Sequence, residues 1–328
     1  MKRVELMIFS PTTENISQLA AEIRRGKCVA FPTETVYGLG ADATNGAAIA
    51  QIFSIKQRPS FNPLIVHVPD LSAAKKIGVF NHHALALAER FWPGPLTLVV
   101  PRQPECQISD LVSAGLPTIA LRVPANPLAR AFIEQAGCPI AAPSANKSGT
   151  LSPTKAQHVQ ETLPDISILD GDMEGNAAEI GLESTIIGCL SETPTLLRLG
   201  GLASEEIEAY LGCKISQLPE SDDTEDATGA KLAPGRLLKH YAPQAALRLN
   251  ATHVEHGEAL LAFGKPLAHD GPTINLSETR NLNEAATRLF AALHELDGKG
   301  NKIAVMPIPE NGLGAAINDR LSRAAQGR

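Results

Sequence analysis

The sequence predicts an α/β fold in two parts. Three observations point there: short apolar strand-like runs alternate with helical patterns, prolines interrupt the runs often, and one acidic polar segment divides the chain. With 328 residues, 44% of them hydrophobic and 20% charged, the composition is that of an ordinary globular protein, of about two domains. The break is residues 219–235, PESDDTEDATGAKLAPG, where acids crowd the stretch from Glu220 to Asp226. Such a segment buries too little surface to offset its ordering entropy and reads as a linker. The division is a first domain over 1–212, a connecting segment over 213–243 and a small second domain over 244–328.

In the first domain, Ile16, Leu19, Ala20 and Ile23 recur at helical spacing, and Gly26 ends that helix. Lys27 to Phe31 is a short apolar strand stopped by Pro32. Ala47 to Gln57 reads as a second helix, because Pro59 disfavours α geometry at Arg58. Leu64 to Val68, Leu96 to Val100, Thr118 to Val123 and Ile140 to Ala142 read as strands between proline-rich turns. So many prolines argue against a regular doubly wound sheet. Ser204 is placed to cap a helix with Glu205 and Glu206 in its first turn and Gly212 at its end. In the second domain Ala246 to Leu249, Ala259 to Phe263 and Lys302 to Met306 are strand-like. Asn281 caps a helix with Glu284 three residues on and Leu282, Leu289, Leu293 and Leu296 along one face. Gly314 to Ala325 gives a last helix. No glycine-rich phosphate fingerprint follows the first strand of this lobe, so no dinucleotide is assigned to it.

Composition narrows the function. A net charge of −6 and only 4% aromatic residues argue against a broad electrostatic grip on nucleic acid or a base-stacking platform, while leaving room for a local basic cleft. Cys28, Cys106, Cys138, Cys189 and Cys213 form no CxxC pair, which suits reduced thiols and no protein-held metal. Without a signal peptide pattern or a long apolar run, the sequence predicts a cytoplasmic protein with no membrane span.

Polar groups concentrate in four clusters. Phe31 to Gly40 is a strand end opening into a glycine-containing loop. There the hydroxyls of Thr33, Thr35 and Tyr37 hold an amino acid or a phosphate, or satisfy the turn's own backbone. Lys56 and Arg58 point apart on a helix, so sharing a target needs the helix to end between them; Pro59 supplies that end. A point charge beside a bidentate fork suits a polyphosphate, and favourable charge at a helix C-terminus is the plain alternative. His67 lies in an apolar strand, where a core histidine is the commoner outcome. Arg122 stands mid-strand and needs an anionic partner, either a protein carboxylate or a substrate carboxylate. Ala141 to Gly149, followed by Ser152 and Thr154, combines small residues with hydroxyls, amides and Lys147, without the GxxxxGK[ST] of a P-loop. Glu183, Ser184, Thr185 and Arg198 add a hydroxyl pair and a cation. No nucleophile and base stand together, so the profile is that of phosphate chemistry run by positioning and charge.

Taken together, these clusters resemble the threonylcarbamoyl-AMP synthase family with its YrdC-type domain. The resemblance rests on PTETVYGLG (32–40), KxRPxxNPL (56–64), WPGPLT (92–97), LRVP (121–124), APSAN with SGxxSPT (142–154) and GLEST (181–185). HYAP (240–243) and the closing Ala316 to Ala325 resemble the longer, two-domain branch. Departures are Ala233 and Arg236 to Leu238 in the linker motif, Leu199 where proline is usual, and Asp172 where glycine is common.

The resemblance implies a YrdC/RibB-like twisted mixed sheet with flanking helices, plus a small C-terminal Rossmann-like α/β domain. It implies an enzyme, a nucleotidyltransferase making threonylcarbamoyl-AMP and pyrophosphate from ATP, L-threonine and bicarbonate. Mg²⁺ would arrive with ATP. Thr35, His67, Arg122, Ala142 and Ser184 would surround threonine; Arg58, Asn62, Thr118, Ser144, Ser152, Arg198 and Tyr241 would contact ATP. Lys56, Arg58, Ser144 and Asn146 would form the catalytic set, and 213–243 a lid carrying Tyr241. A downstream tRNA threonylcarbamoyl transferase is the implied partner, with at most a weak tRNA contact by this chain. The competing classes are an RNA-binding module without catalysis and a carbamoyl-adenylate-handling relative on the same fold.

Overall fold

The computed structural model describes residues 7–172, 178–217, 241–300 and 302–326. The predicted linker, 219–235, lies outside the described residues, as does all of 218–240 within the predicted lid. The chain runs through β1 (Ile8–Phe9), α1 (Thr13–Arg24), β2 (Val29–Phe31), β3 (Gly38–Asp42), α2 (Gly46–Lys56), β4 (Ile65–His67), α3 (Leu71–Lys75) and α4 (His82–Phe91). It continues through β5 (Leu96–Pro101), α5 (Asp110–Ser113), β6 (Thr118–Arg122), α6 (Pro127–Ala136), β7 (Ile140–Ala141), α7 (Ala156–Thr162) and β8 (Ser167–Leu169). Next come β9 (Thr185–Gly188), β10 (Thr195–Arg198), α8 (Ser204–Leu211) and β11 (Ser216–Gln217). The last part holds β12 (Ala246–Arg248), β13 (Glu258–Ala262), β14 (Thr273–Asn275), α9 (Leu282–Leu296), β15 (Lys302–Val305) and α10 (Leu313–Gln326).

Among the described residues, β1 to β11 form one mixed sheet in the order β1-β8-β2-β3-β7-β4-β6-β5-β9-β10-β11. The four strands of the last part form a second sheet, β12-β15-β13-β14, paired parallel throughout. This is the mixed α/β architecture that the sequence predicts. No described helix is long and apolar enough to cross a membrane.

Local rules account for the elements around the site. In α1 the buried residues are Ile16, Leu19, Ala20 and Ile23, the apolar stripe of the sequence, and the Thr12 hydroxyl accepts the Asn15 N–H as N-cap. α2 stops at Lys56 because Gln57 turns into the left-handed region at φ 51° ahead of Pro59. Asn281 caps α9, its Oδ1 accepting from the N–H groups of Asn283 and Glu284. Two local expectations change. Gly38 to Gly40 is strand β3, paired antiparallel with β2, so the motif is a hairpin and not an open loop. Ser204 is the first residue of α8 with Ala203 at the cap and no side-chain cap bond, although Gly212 does end the helix at φ 68°.

Among the described residues, most buried clusters draw on one part of the chain, and one draws on both. Val36, Leu151 and Leu182 of the first part sit in one buried cluster with Tyr241, Leu261, Phe290 and Leu321 of the second.

Candidate functional site

Between strand ends of the large sheet opens a cleft. Sheet register builds its floor. His67 and Arg122 are direct partners in the parallel β4–β6 pair, so both side chains emerge on one face, beside Ile65. The turn after β2 contributes Thr35, and the segment after β7 contributes Ala142 and Ser144. Arg58 enters from beyond the end of α2, while Ser184 and Arg198 enter from β9 and β10. Tyr241 closes one side, at φ 64°.

Arg122 donates from Nε to the Gly94 carbonyl at 3.3 Å and from one terminal nitrogen to Oε1 of Glu34 at 2.6 Å. Its other terminal nitrogen has no hydrogen-bond partner among the described residues. Burial opposes ionisation of Glu34, but the Arg122 charge and hydrogen bonds outweigh it and hold the carboxyl below its usual range. His67 is neutral: burial, helped by the nearby Arg122, pulls it down to about 3, and its buried Nδ1 has no hydrogen-bond partner among the described residues. Thr33 spends its hydroxyl on the turn itself, bonding the carbonyl and N–H of Val36, and lies 2.7 Å from the Thr35 hydroxyl. Thr35 remains on the cleft wall.

Two further cations line the same cleft. Arg58 is tethered through Nε to the Asn62 carbonyl at 3.2 Å and through a terminal nitrogen to the Pro63 carbonyl at 3.0 Å. Burial, then the neighbouring Arg198, lowers it to about 10. Arg198 donates to the Ser184 carbonyl at 2.8 Å and reaches the Ser184 hydroxyl at 3.3 Å; that hydroxyl is 2.7 Å from Thr97 Oγ1. Glu183 is the facing carboxylate. Burial opposes its charge, yet Arg320 and Arg198 hold it down to about 2.

Several sequence-predicted residues stand elsewhere. The Lys56 ammonium does not line the cleft; it is buried and donates to the carbonyls of Ser144, at 2.6 Å, and Asn146. Burial, then Arg58, lowers its pKa well below the usual lysine range. Lys56 therefore braces the 142–149 segment from behind. Asn146 donates to the carbonyls of Lys147 and Thr150, leaving its Oδ1 buried and unpaired. Ser152 is buried and donates to Oε1 of Glu183 at 2.5 Å, behind the wall rather than on it. Thr118 begins β6, at the far end of that strand from Arg122. Asn62 is buried with neither amide atom paired among the described residues. Tyr37 lines the cleft, but its hydroxyl donates to Asp172 at 2.8 Å and accepts the Gly171 N–H at 2.7 Å, so it is not a ligand hydroxyl.

The sequence reading missed Glu34, Asp172 and Arg320 as site supports. Asp172 accepts the Ala156 N–H at 2.9 Å, capping α7 where Lys155 offers no side-chain cap. Arg320 sits on α10 in line with buried Ala316, Ile317, Leu321 and Ala324. An arginine on an apolar stripe was the available signal.

A family model described as "Telomere recombination" (Sua5_yciO_yrdC) matches residues 21–200, and one described as "Threonylcarbamoyl-AMP synthase, C-terminal domain" matches residues 202–326. The chain is 40% identical to the threonylcarbamoyl-AMP synthase of Bacillus subtilis, covering 98% of this chain and 95% of that one. It is 38% identical to that of Pyrococcus abyssi, covering 93% and 92%. The crystal structure of P. abyssi Sua5 complexed with L-threonine superposes with a TM-score of 0.87 at 36% identity, covering 98% of both chains. On these matches, the chain belongs to the two-domain branch of the threonylcarbamoyl-AMP synthase family.

Proposed function

We propose that this protein is a nucleotidyltransferase that joins L-threonine, bicarbonate and ATP into threonylcarbamoyl-AMP, releasing pyrophosphate. The observation that carries the reading is that one cleft gathers Arg122, neutral His67 and Thr35 together with Arg58, Arg198 and Ser184. Names of full-length relatives support the same reading.

In this reading the open terminal nitrogen of Arg122 grips the threonine carboxylate, with Glu34 holding the guanidinium in plane. Bicarbonate loses hydroxide to give CO₂, the threonine nitrogen adds to its carbon, and the proton leaving that nitrogen joins the hydroxide as water. A carbamate oxygen then attacks the α-phosphorus, and the bond to the bridging oxygen breaks as pyrophosphate leaves. Arg58 and Arg198 stabilise the charge on the phosphates. Enclosure serves the chemistry because free carbamates are short-lived. Asn62, buried with an unpaired amide, gains a hydrogen-bond partner when nucleotide enters.

Mg²⁺ enters as part of the ATP substrate. The carboxylates nearest the cleft, Glu34 and Glu183, are each bonded to an arginine, so the donor set suits a metal held through phosphate oxygens. The product is a reactive mixed anhydride, to be consumed by a transferase acting on tRNA.

The test is pyrophosphate release from Mg-ATP with L-threonine and bicarbonate omitted in turn. Release that needs both substrates is expected. Release that needs neither makes the protein a plain ATPase, and ATP binding without release makes it a binding module.

A further inference from the structure

Arg320 is the largest of the almost fully buried side chains among the described residues, 1% exposed, and the reaction as proposed makes no use of it. It belongs to α10, far along the chain from the cleft, yet its guanidinium touches three other stretches besides its own neighbour Asp319. Nε donates to Oε2 of Glu183 at 2.8 Å, and one terminal nitrogen donates to the Leu199 carbonyl at 2.7 Å. The other terminal nitrogen bonds the Asp319 carboxylate, and the guanidinium carbon stands 5.0 Å from the Tyr241 ring centroid. Glu183 and Leu199 are the chain neighbours of Ser184 and Arg198, which bond each other on the cleft wall. The second Glu183 oxygen takes the Ser152 hydroxyl.

We infer that Arg320 is a positioning residue for the nucleotide side of the cleft, supplied by the C-terminal part of the chain. It has two tasks. It fixes the segments on either side of the Ser184–Arg198 contact, and it neutralises Glu183, the carboxylate that faces the cleft. Without Arg320, Glu183 becomes an unpaired buried charge whose nearest compensation is Arg198. Arg198 is then drawn from the phosphates to the carboxylate, and the cleft turns against a triphosphate. A role confined to holding two parts of the chain together predicts lost stability and no such charge effect. This inference rests on the function proposed above only in naming ATP as the ligand.

The test is binding of α,β-methylene-ATP with Mg²⁺ to the full chain, measured by calorimetry beside the melting temperature. Arg320→Met should weaken binding by about tenfold or more, on the usual cost of unpairing a buried charge. Adding Glu183→Gln in the same chain should bring it back to within about threefold of the starting protein. Glu183→Gln alone should bind the analogue at least as tightly as the unchanged protein. In turnover, Arg320→Met should raise the KM for ATP much more than that for threonine. Unchanged binding by Arg320→Met, or a double variant no better than the single one, overturns the inference. So does weakened binding by Glu183→Gln alone, and that arm decides the matter if Arg320→Met does not fold. Analogue binding without pyrophosphate release would overturn the synthase reading and leave this test intact; no analogue binding by the unchanged protein would overturn both.

Discussion

Arg122 and Glu34 form a hydrogen-bonded ion pair at 2.6 Å with both side chains nearly excluded from water. The pair answers the question that Arg122 poses in the sequence, since its standing partner is a protein carboxylate. The other terminal nitrogen of Arg122 is the one that the proposed function gives to the threonine carboxylate.

Glu34→Ala should cost about 3–5 kcal/mol at pH 7, because it leaves a buried guanidinium charge uncompensated. Its effect on turnover should fall on the threonine KM and leave the ATP KM nearly unchanged. The folded-state pKa of Glu34 is depressed, so the pair's contribution is complete above the ordinary glutamate range. It is lost as pH falls through the lowered value. Urea unfolding of both proteins at pH 7 and at pH 3 measures this; a gap that does not narrow in acid refutes the charge argument.

His67 should stay neutral through the working pH range. With its folded pKa near 3 and an unfolded value of about 6.5, the unfolded chain binds the extra proton between those limits. Stability therefore falls as pH drops from about 6.5 toward 3, and is unaffected by this group above that window. The His67 ring C–H resonance, followed by NMR, should hold its neutral shift at pH 5. A titration midpoint near 6.5 would show that the ring is solvated.

Lys56→Met should act at a distance from the cleft. Removing the ammonium strands the carbonyls of Ser144 and Asn146, which costs about 1–3 kcal/mol for each buried acceptor left unmade. The freed segment carries Ser144 on the cleft wall, so the ATP KM should rise together with the fall in melting temperature. An unchanged melting temperature with lost activity would instead put the ammonium in the chemistry.

Gly200→Ala should damage the site without touching a polar group. A Cβ there would lie 2.4 Å from both the Glu183 carbonyl oxygen and the Ser184 carbonyl carbon, and 2.5 Å from the Thr185 nitrogen. The backbone has to move, and Ser184 moves with it. Turnover should drop at least about tenfold, as misplacing a positioning group commonly costs more than that. Wild-type kinetics in the variant would mean that the two strands separate freely.

What was legible in the sequence is what local rules encode. The α1 stripe, the stop of α2 before Pro59 and the Asn281 cap each depend on residues within a turn or two, and all three stand in the structure. β3 was hidden because Gly38 and Gly40 look like a loop, whereas in the sheet they admit the Phe31 ring and Ile140 at distances that a Cβ would violate at Gly40. The cleft's recurring hydroxyls and cations were visible as clusters. Which of their polar atoms are left for the cleft was not, because the Lys56 ammonium and the Ser152 and Tyr37 hydroxyls are taken by partners that only the fold brings near. Glu34 lies 88 positions from Arg122, and Glu183 lies 137 from Arg320. No periodicity reaches across such gaps; strand order and the packing of α10 choose those partners.

The shared cluster of Val36, Leu151 and Leu182 with Tyr241, Leu261, Phe290 and Leu321 has a consequence for any dissection of the chain. A chain cut after Gln217 would lay those first three side chains open to water, one of them inside the hairpin that carries Thr35. Such a fragment should associate with itself through the uncovered patch, so a truncation reads the loss of that cover together with the loss of the second part.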